Sequence, residues 1–391
     1  MAEKSKSYVK ARSARRLRGF IIIVLIAAVA VTGYFNRDYL YKNVIENFRG
    51  IANKVEKNDN IGEGFPLTLP GSAKYSFERF GTNFSLLTDT YLYTYTSSGK
   101  QLYAQQHSYG TPVQKAAERR LLLFDLNGHS FSLFNKNGKI GEITYEEKIA
   151  TGFIGANDMT AIITNSPIYS GVMYIYDANM KLVYKRILAE ENVTSVLFTE
   201  NSSEIIMLTI GFRDGDVVSE AYRLDITVED GVVWKTSLPA NSIAVEASIN
   251  DGGIAVLCDN LLLGLQIETG EFLWQSELGG VIVKPVLSPD GNFLISRDYI
   301  NGRTLLTSFS GKDGMLNVLE PEQSGETITV EAETAGGKLY VLSEKYISEY
   351  SESLELLTEY VLPNDFMSFV IIAGKFYLLG AEQVVLFEPT A

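Results

Sequence analysis

From about residue 65 to the C-terminus, short apolar runs alternate with turn residues, and no long helical pattern interrupts them. A tight turn followed by a strongly apolar strand recurs at positions 157, 201, 250, 289 and 335, at intervals of 44, 49, 39 and 46 residues. The turns are rich in Asn, Asp and Gly, which supply the positive φ angles that short hairpins need. Because a four-stranded propeller blade has about this length, the pattern predicts a β-propeller.

A second feature, a strand-turn-strand unit, recurs beside the first at residues 93–103, 134–140 and 266–274, among others. Together the two features define eight units, which begin near Ser72, Thr111, Ile149, Val193, Ser242, Val281, Glu326 and Phe366. The eighth unit is one strand short, whereas residues 65–69 form a strand without a blade. The sequence therefore predicts an all-β, eight-bladed β-propeller over residues 65–391, closed by pairing of strand 65–69 with the C-terminal blade. A seven-bladed ring is the alternative.

The N-terminus has the pattern of a membrane anchor. Residues 1–18 carry seven Lys or Arg and one Glu, and residues 19–36 carry no charge. A helix over the uncharged segment would be about 27 Å long, close to the thickness of bilayer hydrocarbon. The positive-inside rule then predicts a cytoplasmic basic tail over 1–18, a transmembrane signal anchor over 19–36 and an extracytoplasmic C-terminal domain at the cell membrane. A cleaved secretory signal, with Ala28-Val29-Ala30 at the cleavage site, is the alternative, and it also exports the domain.

Residues 37–64 are predicted to form a short helical stalk and a linker. The stalk carries apolar residues at helical spacing, namely Leu40, Val44, Phe48, Ile51 and Val55. Asn and Gly residues over 58–64 would end such a helix.

The charge and the cysteine content of the chain argue against nucleic-acid binding and against a Cys-cluster metal site. The net charge is -13, and because residues 1–18 contribute +6, the remaining residues carry -19. A domain this acidic repels phosphate backbones, so nucleic acid is not an expected partner. The single cysteine, Cys258, lies in an apolar strand and is expected to be a small buried hydrophobe, since one Cys forms neither an intramolecular disulfide nor a Cys-cluster metal site.

Two segments resemble known propeller repeats. Residues 268–274, with the sequence Glu-Thr-Gly-Glu-Phe-Leu-Trp, and Gly279-Gly280 resemble the repeat of quinoprotein-like propellers, and Ser288-Pro289-Asp290-Gly291 is similar to the turn of WD40-like blades. With its basic N-terminus, membrane span and stalk, the chain resembles an uncharacterised family of single-pass membrane-anchored propeller proteins of Gram-positive bacteria.

The resemblance does not extend to quinone chemistry. Quinoprotein dehydrogenases hold their cofactor against a disulfide of adjacent cysteines, whereas this chain has one Cys, so no cofactor is expected. Trp234 and Trp274 are interpreted as packing residues between blades. What the resemblance implies is a scaffold role, as in an envelope-assembly lipoprotein of Gram-negative bacteria whose propeller binds partner proteins.

No constellation of residues predicts catalysis, and we expect the protein not to be an enzyme. The two histidines, His107 and His129, are predicted in loops without a nucleophilic or metal-ligating partner. Acidic runs at 142–147 and 213–216 lack the ligand spacing of a calcium loop, so no metal site is predicted.

Polar residues on the innermost strands are candidates for lining the central channel. Glu246, Lys284 and Glu331 fall in the predicted first strands of three successive blades, although they could instead face loops or water. The sequence thus favours a membrane-anchored, extracytoplasmic, non-catalytic scaffold whose partners are the membrane and an unknown envelope protein or glycan. The alternative is a small-molecule or glycan binding or sensing module that uses the channel.

Overall fold

Each repeat folds as an antiparallel meander of four strands, the arrangement that short apolar runs joined by tight turns favour. The computed structural model describes residues 64–72, 74–200, 202–250, 252–314, 316–321 and 331–388, where thirty-two strands form eight four-stranded sheets. The chain divides into two units, residues 1–60 and 61–391, and the sheets belong to the second. The predicted tail, anchor and stalk lie outside the described residues. Within the described part of the chain, no helix has the length and apolar character that crossing a membrane requires.

The strands follow in chain order, with four strands in each blade. Strand β1 (Leu67–Thr68) precedes blade 1, which contains β2 (Ser76–Phe80), β3 (Asn83–Leu87), β4 (Tyr91–Thr96) and β5 (Gln101–Gln106). Blade 2 contains β6 (Pro112–Ala116), β7 (Leu121–Asp125), β8 (Ser130–Asn135) and β9 (Gly138–Thr144). Blade 3 contains β10 (Ile149–Ile154), β11 (Thr160–Thr164), β12 (Gly171–Tyr176) and β13 (Leu182–Leu188). Blade 4 contains β14 (Asn192–Phe198), β15 (Glu204–Arg213), β16 (Asp216–Asp225) and β17 (Val232–Ser237).

The second half of the ring follows the same order. Blade 5 contains β18 (Ala244–Asn250), β19 (Gly253–Cys258), β20 (Leu261–Gln266) and β21 (Phe272–Glu277). Blade 6 contains β22 (Gly280–Ser288), β23 (Gly291–Asp298), β24 (Thr304–Phe309) and β25 (Asn317–Leu319). Blade 7 contains β26 (Glu331–Ala335), β27 (Lys338–Leu342), β28 (Tyr346–Tyr350) and β29 (Leu356–Val361). Blade 8 contains β30 (Ser368–Ile372), β31 (Lys375–Leu379), β32 (Gln383–Phe387) and, as its fourth strand, β1.

The ring closes through β1, which pairs antiparallel with β32 in the register Leu67↔Val384. This pairing is the one that the sequence predicted for residues 65–69. The first strands of successive blades contact one another all the way round, including β30 with β2, so the sheets form a closed ring. The prediction of eight blades is confirmed, and the seven-bladed alternative is wrong.

The hydrophobic core lies between the blades. Eight apolar clusters each combine side chains from two adjacent blades within the described residues. A single small sheet cannot bury both of its faces, so stacking on its neighbours is what excludes water from them.

The meander gives the ring two different faces. Connections between blades and loops between second and third strands lie on one side, which we call the connection face. Turns between first and second strands and between third and fourth strands lie on the other side, which we call the hairpin face. Since β1 runs antiparallel to β32, the described chain begins at Gly64 on the hairpin face, next to the blade 1 turn that contains Gly99.

Candidate functional site: the channel and the connection face

The three residues predicted for the channel lie on first strands: Glu246 on β18, Lys284 on β22 and Glu331 on β26. Lys284 Nζ donates to Glu331 Oε2 at 3.0 Å, and both side chains are about one third exposed. The structure therefore brings two of the three together as an ion pair between blades 6 and 7.

Further charged residues of the channel come from blades 1, 2 and 7. Lys115 on β6 interacts electrostatically with Glu246, and Glu78 on β2 interacts with Lys284. These pairs join blade 2 to blade 5 and blade 1 to blade 6, which are not neighbours in the ring. Blades that are not neighbours face each other across the central channel, so these electrostatic interactions act across it.

Carboxylates outnumber ammonium groups in this cluster, and the pKa values of two of the carboxyl groups are raised. Burial raises the pKa of Glu78 to about 7, against the opposing attraction of Lys284 and Lys115. Burial also raises the pKa of Glu333 to about 8, although the Ile371 backbone N–H donates to Glu333 Oε2 at 2.9 Å. Taking a carboxylate out of water disfavours its charged form, and a neighbouring carboxylate adds to the effect.

Burial and a ring contact also affect Lys115, one of the two lysines of this cluster. Burial lowers the pKa of Lys115, whereas Glu246 and Glu78 act in the opposite direction. Lys115 Nζ lies 4.2 Å from the centroid of the Phe153 ring, a cation–π contact with the next blade. The channel thus presents a mixed but mainly acidic lining, which is suited to cationic or hydroxyl-rich groups.

A β-bulge precedes each channel residue of blades 5 and 6. The register shifts between Ala244 and Glu246 and between Ile282 and Lys284, so Val245 and Val283 are the extra residues. Blades 3 and 4 carry bulges at the corresponding place, whereas the described first strands of blades 1, 2, 7 and 8 do not. A bulge reverses the in–out alternation beyond it, and here it redirects the side chain that follows.

The channel opens on the connection face through a cavity of about 470 Å³. Its charged lining consists of Lys74, Glu78, Lys284 and Glu331, and Tyr75 and Met367 lie among its apolar lining. These residues come from first strands and connections of four consecutive blades, 6, 7, 8 and 1, so the cavity lies at the connection-face end of the channel.

The connection face also exposes large apolar side chains. We call this set the apolar arc; it consists of Ile168, Tyr169, Phe212, Ile243, Tyr299 and Ile300, which are 80%, 43%, 71%, 37%, 60% and 96% exposed. Its members lie on loops of blades 3, 4 and 6 and on the connection from blade 4 to blade 5. Among described loop residues of the hairpin face, the comparable exposed side chain is Val228. Large exposed apolar side chains that share one face are candidates for an interaction surface.

The remaining predicted residues have structural surroundings. Trp234 Nε1 donates to the Ile267 carbonyl at 2.9 Å and Trp274 Nε1 to the Gly311 carbonyl at 3.2 Å, so both residues pack against the next blade, as predicted. Cys258 is buried, and burial raises the pKa of its thiol to about 12.

His107 lies in the connection after blade 1, where its Nε2 is 3.2 Å from the Thr88 carbonyl, and His129 lies in the loop between β7 and β8. Within the described ranges, no group of three or more His, Cys, Asp or Glu side chains is arranged to hold a metal ion.

Sequence reasoning missed Glu78, Lys115 and Glu333 as channel residues. Each lies on a first strand, and the positions beside Lys115 and Glu333 are uncharged, as are those beside Glu246, whereas Glu78 is followed by Arg79. The same signal, applied to the first two units, would have found Glu78 and Lys115.

Comparison with known proteins extends the fold assignment. Residues 66–227, from the closing strand to the end of β16, match a family of unknown function (DUF5711). No protein of curated function matches the sequence. Among solved structures, the chain is similar to BamB from Moraxella catarrhalis, with 12% identity, a TM-score of 0.55, and coverage of 83% of this chain and 99% of that one.

Two further solved structures are similar in fold. Sqt1 from Saccharomyces cerevisiae is 13% identical with a TM-score of 0.58, and 84% of this chain and 99% of that chain are covered. The C-terminal WD40 domain of Sif2 is 13% identical with a TM-score of 0.59, and 84% of this chain and 98% of that chain are covered. At this level of identity the likeness shows the propeller fold, which is both BamB-like and WD40-like.

Proposed function

We propose that the protein is a membrane-anchored, extracytoplasmic and non-catalytic scaffold that binds an envelope partner through its connection face. The observation that carries the proposal is the contrast between the faces: large apolar side chains stand exposed on connection-face loops, against Val228 on the hairpin face. A rigid ring that presents such side chains on one side is suited to holding another protein. The resemblance to single-pass membrane proteins of Gram-positive bacteria supports the envelope location.

Membrane anchoring and export rest on the N-terminal sequence. The basic residues of 1–18 and the uncharged segment 19–36 support an anchor with its N-terminus inside.

Cysteine labelling tests the topology, because the natural thiol of Cys258 is buried. We expect Ser98→Cys, in an exposed turn, to react with a membrane-impermeant maleimide in intact cells, and Ser5→Cys to react only after lysis. The unsubstituted chain is the control. Labelling of Ser5→Cys alone in intact cells would overturn the proposed topology.

Partner binding is tested by mild crosslinking in intact cells and recovery of the tagged full chain from membranes. We expect one or more exported proteins to be recovered in proportion to the bait, and to be lost when Phe212 and Ile300 are both replaced by Asp. Recovery that is unchanged by the double substitution, or no partner above background, would count against binding through this face.

A second candidate function uses the channel mouth. Its cavity of about 470 Å³ has the size of a small-molecule site, and its wall carries Glu78, Lys284 and Glu331. If a glycan or cationic metabolite binds there, it should raise the melting temperature of the full chain, and Glu331→Gln should abolish the rise. Exposed Glu352→Gln serves as the matched control.

A further inference from the structure

We propose that the connection face between blades 3 and 4 binds a basic, extended segment of a partner protein, one apolar side chain of which enters a cleft between the two blades. This inference rests on the proposed scaffold function and specifies its site and the chemistry of its partner.

The cleft has a volume of about 170 Å³. Its apolar lining includes Ala150, Ile163, Leu188 and Val193, from the strands of blades 3 and 4 that face each other. A cavity of about 150 Å³ is enough to admit a benzene ring. The cleft is therefore large enough for one Leu or Phe side chain and too small for a folded element.

Two bulges build this cleft. Ala150 is the extra residue between Ile149 and Thr151 of β10, and Thr194 is the extra residue between Val193 and Ser195 of β14; both line the cavity. The Thr194 hydroxyl is buried and has no hydrogen-bond partner among the described residues. A buried polar atom without a partner is costly, so a polar group supplied by a bound segment would be stabilised there.

Two projections of the apolar arc flank the cleft. The loop between β11 and β12 carries Ile168 and Tyr169, and the hairpin of β15 and β16 extends past the end of β14 to Phe212. The hairpin lies against the connection from blade 3, because a Cβ on Gly211 would be 3.5 Å from the Glu190 carbonyl oxygen. Side chains on both sides of a cleft extend the contact along a bound segment.

The charge around the cleft specifies the partner. The connections on either side of blade 3 and the hairpin tip carry carboxylates at Glu146, Glu147, Glu190, Glu191, Asp214 and Asp216. The nearby cations include Lys148, Arg186 and Arg213. Arg213 is already paired with Glu220 at 3.1 Å, and the Arg186 guanidinium lies 5.9 Å from the centroid of the Tyr222 ring. A segment with Lys or Arg on either side of its apolar residue complements this surface.

Other occupants fit less well. Anionic lipid headgroups would meet the same carboxylates and be repelled. A second copy of this chain, docked face to face, would bring two acidic surfaces together, because a two-fold interface uses the same patch on both subunits. An exported partner with a basic segment would place one apolar side chain in the cleft and its Lys or Arg side chains beside the carboxylates.

Binding of designed peptides to the purified full chain tests the proposal. The probes are four labelled 12-residue peptides with Leu-Phe or Ser-Ser at the centre and Lys or Glu on the flanks. We expect the Lys-flanked Leu-Phe peptide to bind at least about tenfold more tightly than each of the others, and the advantage of Lys flanks to shrink as salt rises. Equal binding of all four, or preference for Glu flanks, would overturn the proposal.

Matched substitutions locate the site. We expect two substitutions each to weaken binding of the Lys-flanked Leu-Phe peptide about tenfold or more. Asn165→Trp fills the cleft from an exposed position, and Ile168→Asp places a charge beside it. The controls Asn179→Trp and Val228→Asp make the same changes on the hairpin face and should leave affinity unchanged. Melting temperatures check folding, and unchanged affinity in correctly folded Asn165→Trp would place the peptide elsewhere and overturn the assignment.

Photo-crosslinking in cells separates this inference from the proposed function. A photoreactive phenylalanine analogue is placed at Phe212 or at Val228. Protein adducts at Phe212 alone support both proposals. Adducts at Val228 alone overturn the inference and also the assignment of the connection face in the proposed function, and leave only a scaffold that uses the other face. Adducts with lipid alone at Phe212 overturn the inference. The absence of protein adducts at both positions would overturn the proposed function itself.

Discussion

The two halves of the ring differ in how they use their side chains. Blades 7, 8, 1 and 2 have regular first strands, and their core at the closure is aromatic: the Phe84 ring lies 5.3 Å from the Tyr377 ring and 5.4 Å from those of Phe77 and Tyr95. Blades 3 to 6 carry a bulge in every first strand and most of the exposed apolar loop residues. The core between blades 3 and 4 is largely aliphatic, with residues such as Ile163, Met173 and Met207.

This contrast separates stability from recognition. The closure joins the first described strand of the propeller, β1, to the last, β32, so it must resist opening. Large aromatic rings bury the most area per residue there. The bulges and exposed loops of blades 3 to 6 lie away from the pairing of β1 with β32, so they do not weaken the closure of the ring. We therefore expect substitutions in the core of blades 7, 8, 1 and 2 to change the free energy of unfolding. Substitutions in the apolar arc are expected to change partner binding.

The largest expected effect is at the closing strand. Leu67 is buried against blades 8 and 1, and Leu67→Ala should lower the free energy of unfolding by about 2–5 kcal/mol, because it removes buried methyl groups and leaves a cavity. Urea unfolding measures the change. Thr68→Ala, exposed on the same strand, is the control and should stay within about 0.5 kcal/mol. A loss at Leu67 as small as that of the control would show that β1 does not hold the ring closed.

A smaller loss is expected at the base of the blade 4 hairpin. Glu220 is buried and accepts hydrogen bonds from Arg213 at 3.1 Å and Tyr222 at 2.7 Å, with Lys235 at 2.8 Å. Burial alone would raise its pKa, but these partners outweigh it and hold the pKa of Glu220 below its ordinary value. Glu220→Ala should cost about 1–3 kcal/mol in urea unfolding.

Asp214→Ala, at the exposed hairpin tip, is the control for Glu220. If both substitutions cost the same, the buried cluster does not support the hairpin.

The channel predicts a pH dependence of stability. The pKa of Glu333 is about 8 in the folded protein, above the ordinary value of 4.5, so the folded state holds more protons than the unfolded state between these values. The contribution of Glu333 to stability should therefore fall as pH rises from about 4.5 to about 8. Glu333→Gln should reduce this slope by at most about 1.4 kcal/mol per pH unit.

Urea unfolding at pH 5, 6, 7 and 8 measures that slope. Glu352→Gln, exposed on the hairpin face, should leave the slope as it is. A slope that is the same in Glu333→Gln as in the wild type would contradict the assignment of Glu333.

The smallest expected effect on stability is in the apolar arc. Ile168 and Phe212 are 80% and 71% exposed, so replacing either by Asp should change the free energy of unfolding by no more than about 0.5 kcal/mol. Thermal and urea unfolding check this. A loss of several kcal/mol would mean that these side chains serve packing, and the division between the halves would fail.

Much of the architecture was readable from the sequence. The first strands begin within five residues of the predicted units, since both Ser76 and Glu331 lie close to the predicted starts at Ser72 and Glu326. Turn residues at regular intervals report blade boundaries directly, because each blade is a local meander. The channel was only partly readable: Glu246, Lys284 and Glu331 were candidates, but Glu78, Lys115 and Glu333 were not recognised.

The chain by itself determined the repeat, the number of sheets and the strand available to close the ring, since turns and apolar runs act over a few neighbouring residues. Only the tertiary structure decided that Lys115 interacts electrostatically with Glu246 of a distant blade, that bulges at Ala150 and Thr194 line a cleft, and that exposed apolar loop residues lie mostly on one face. Those relations join residues from different blades, and the order of the blades around an axis sets them. No local pattern records which side chains that axis brings together.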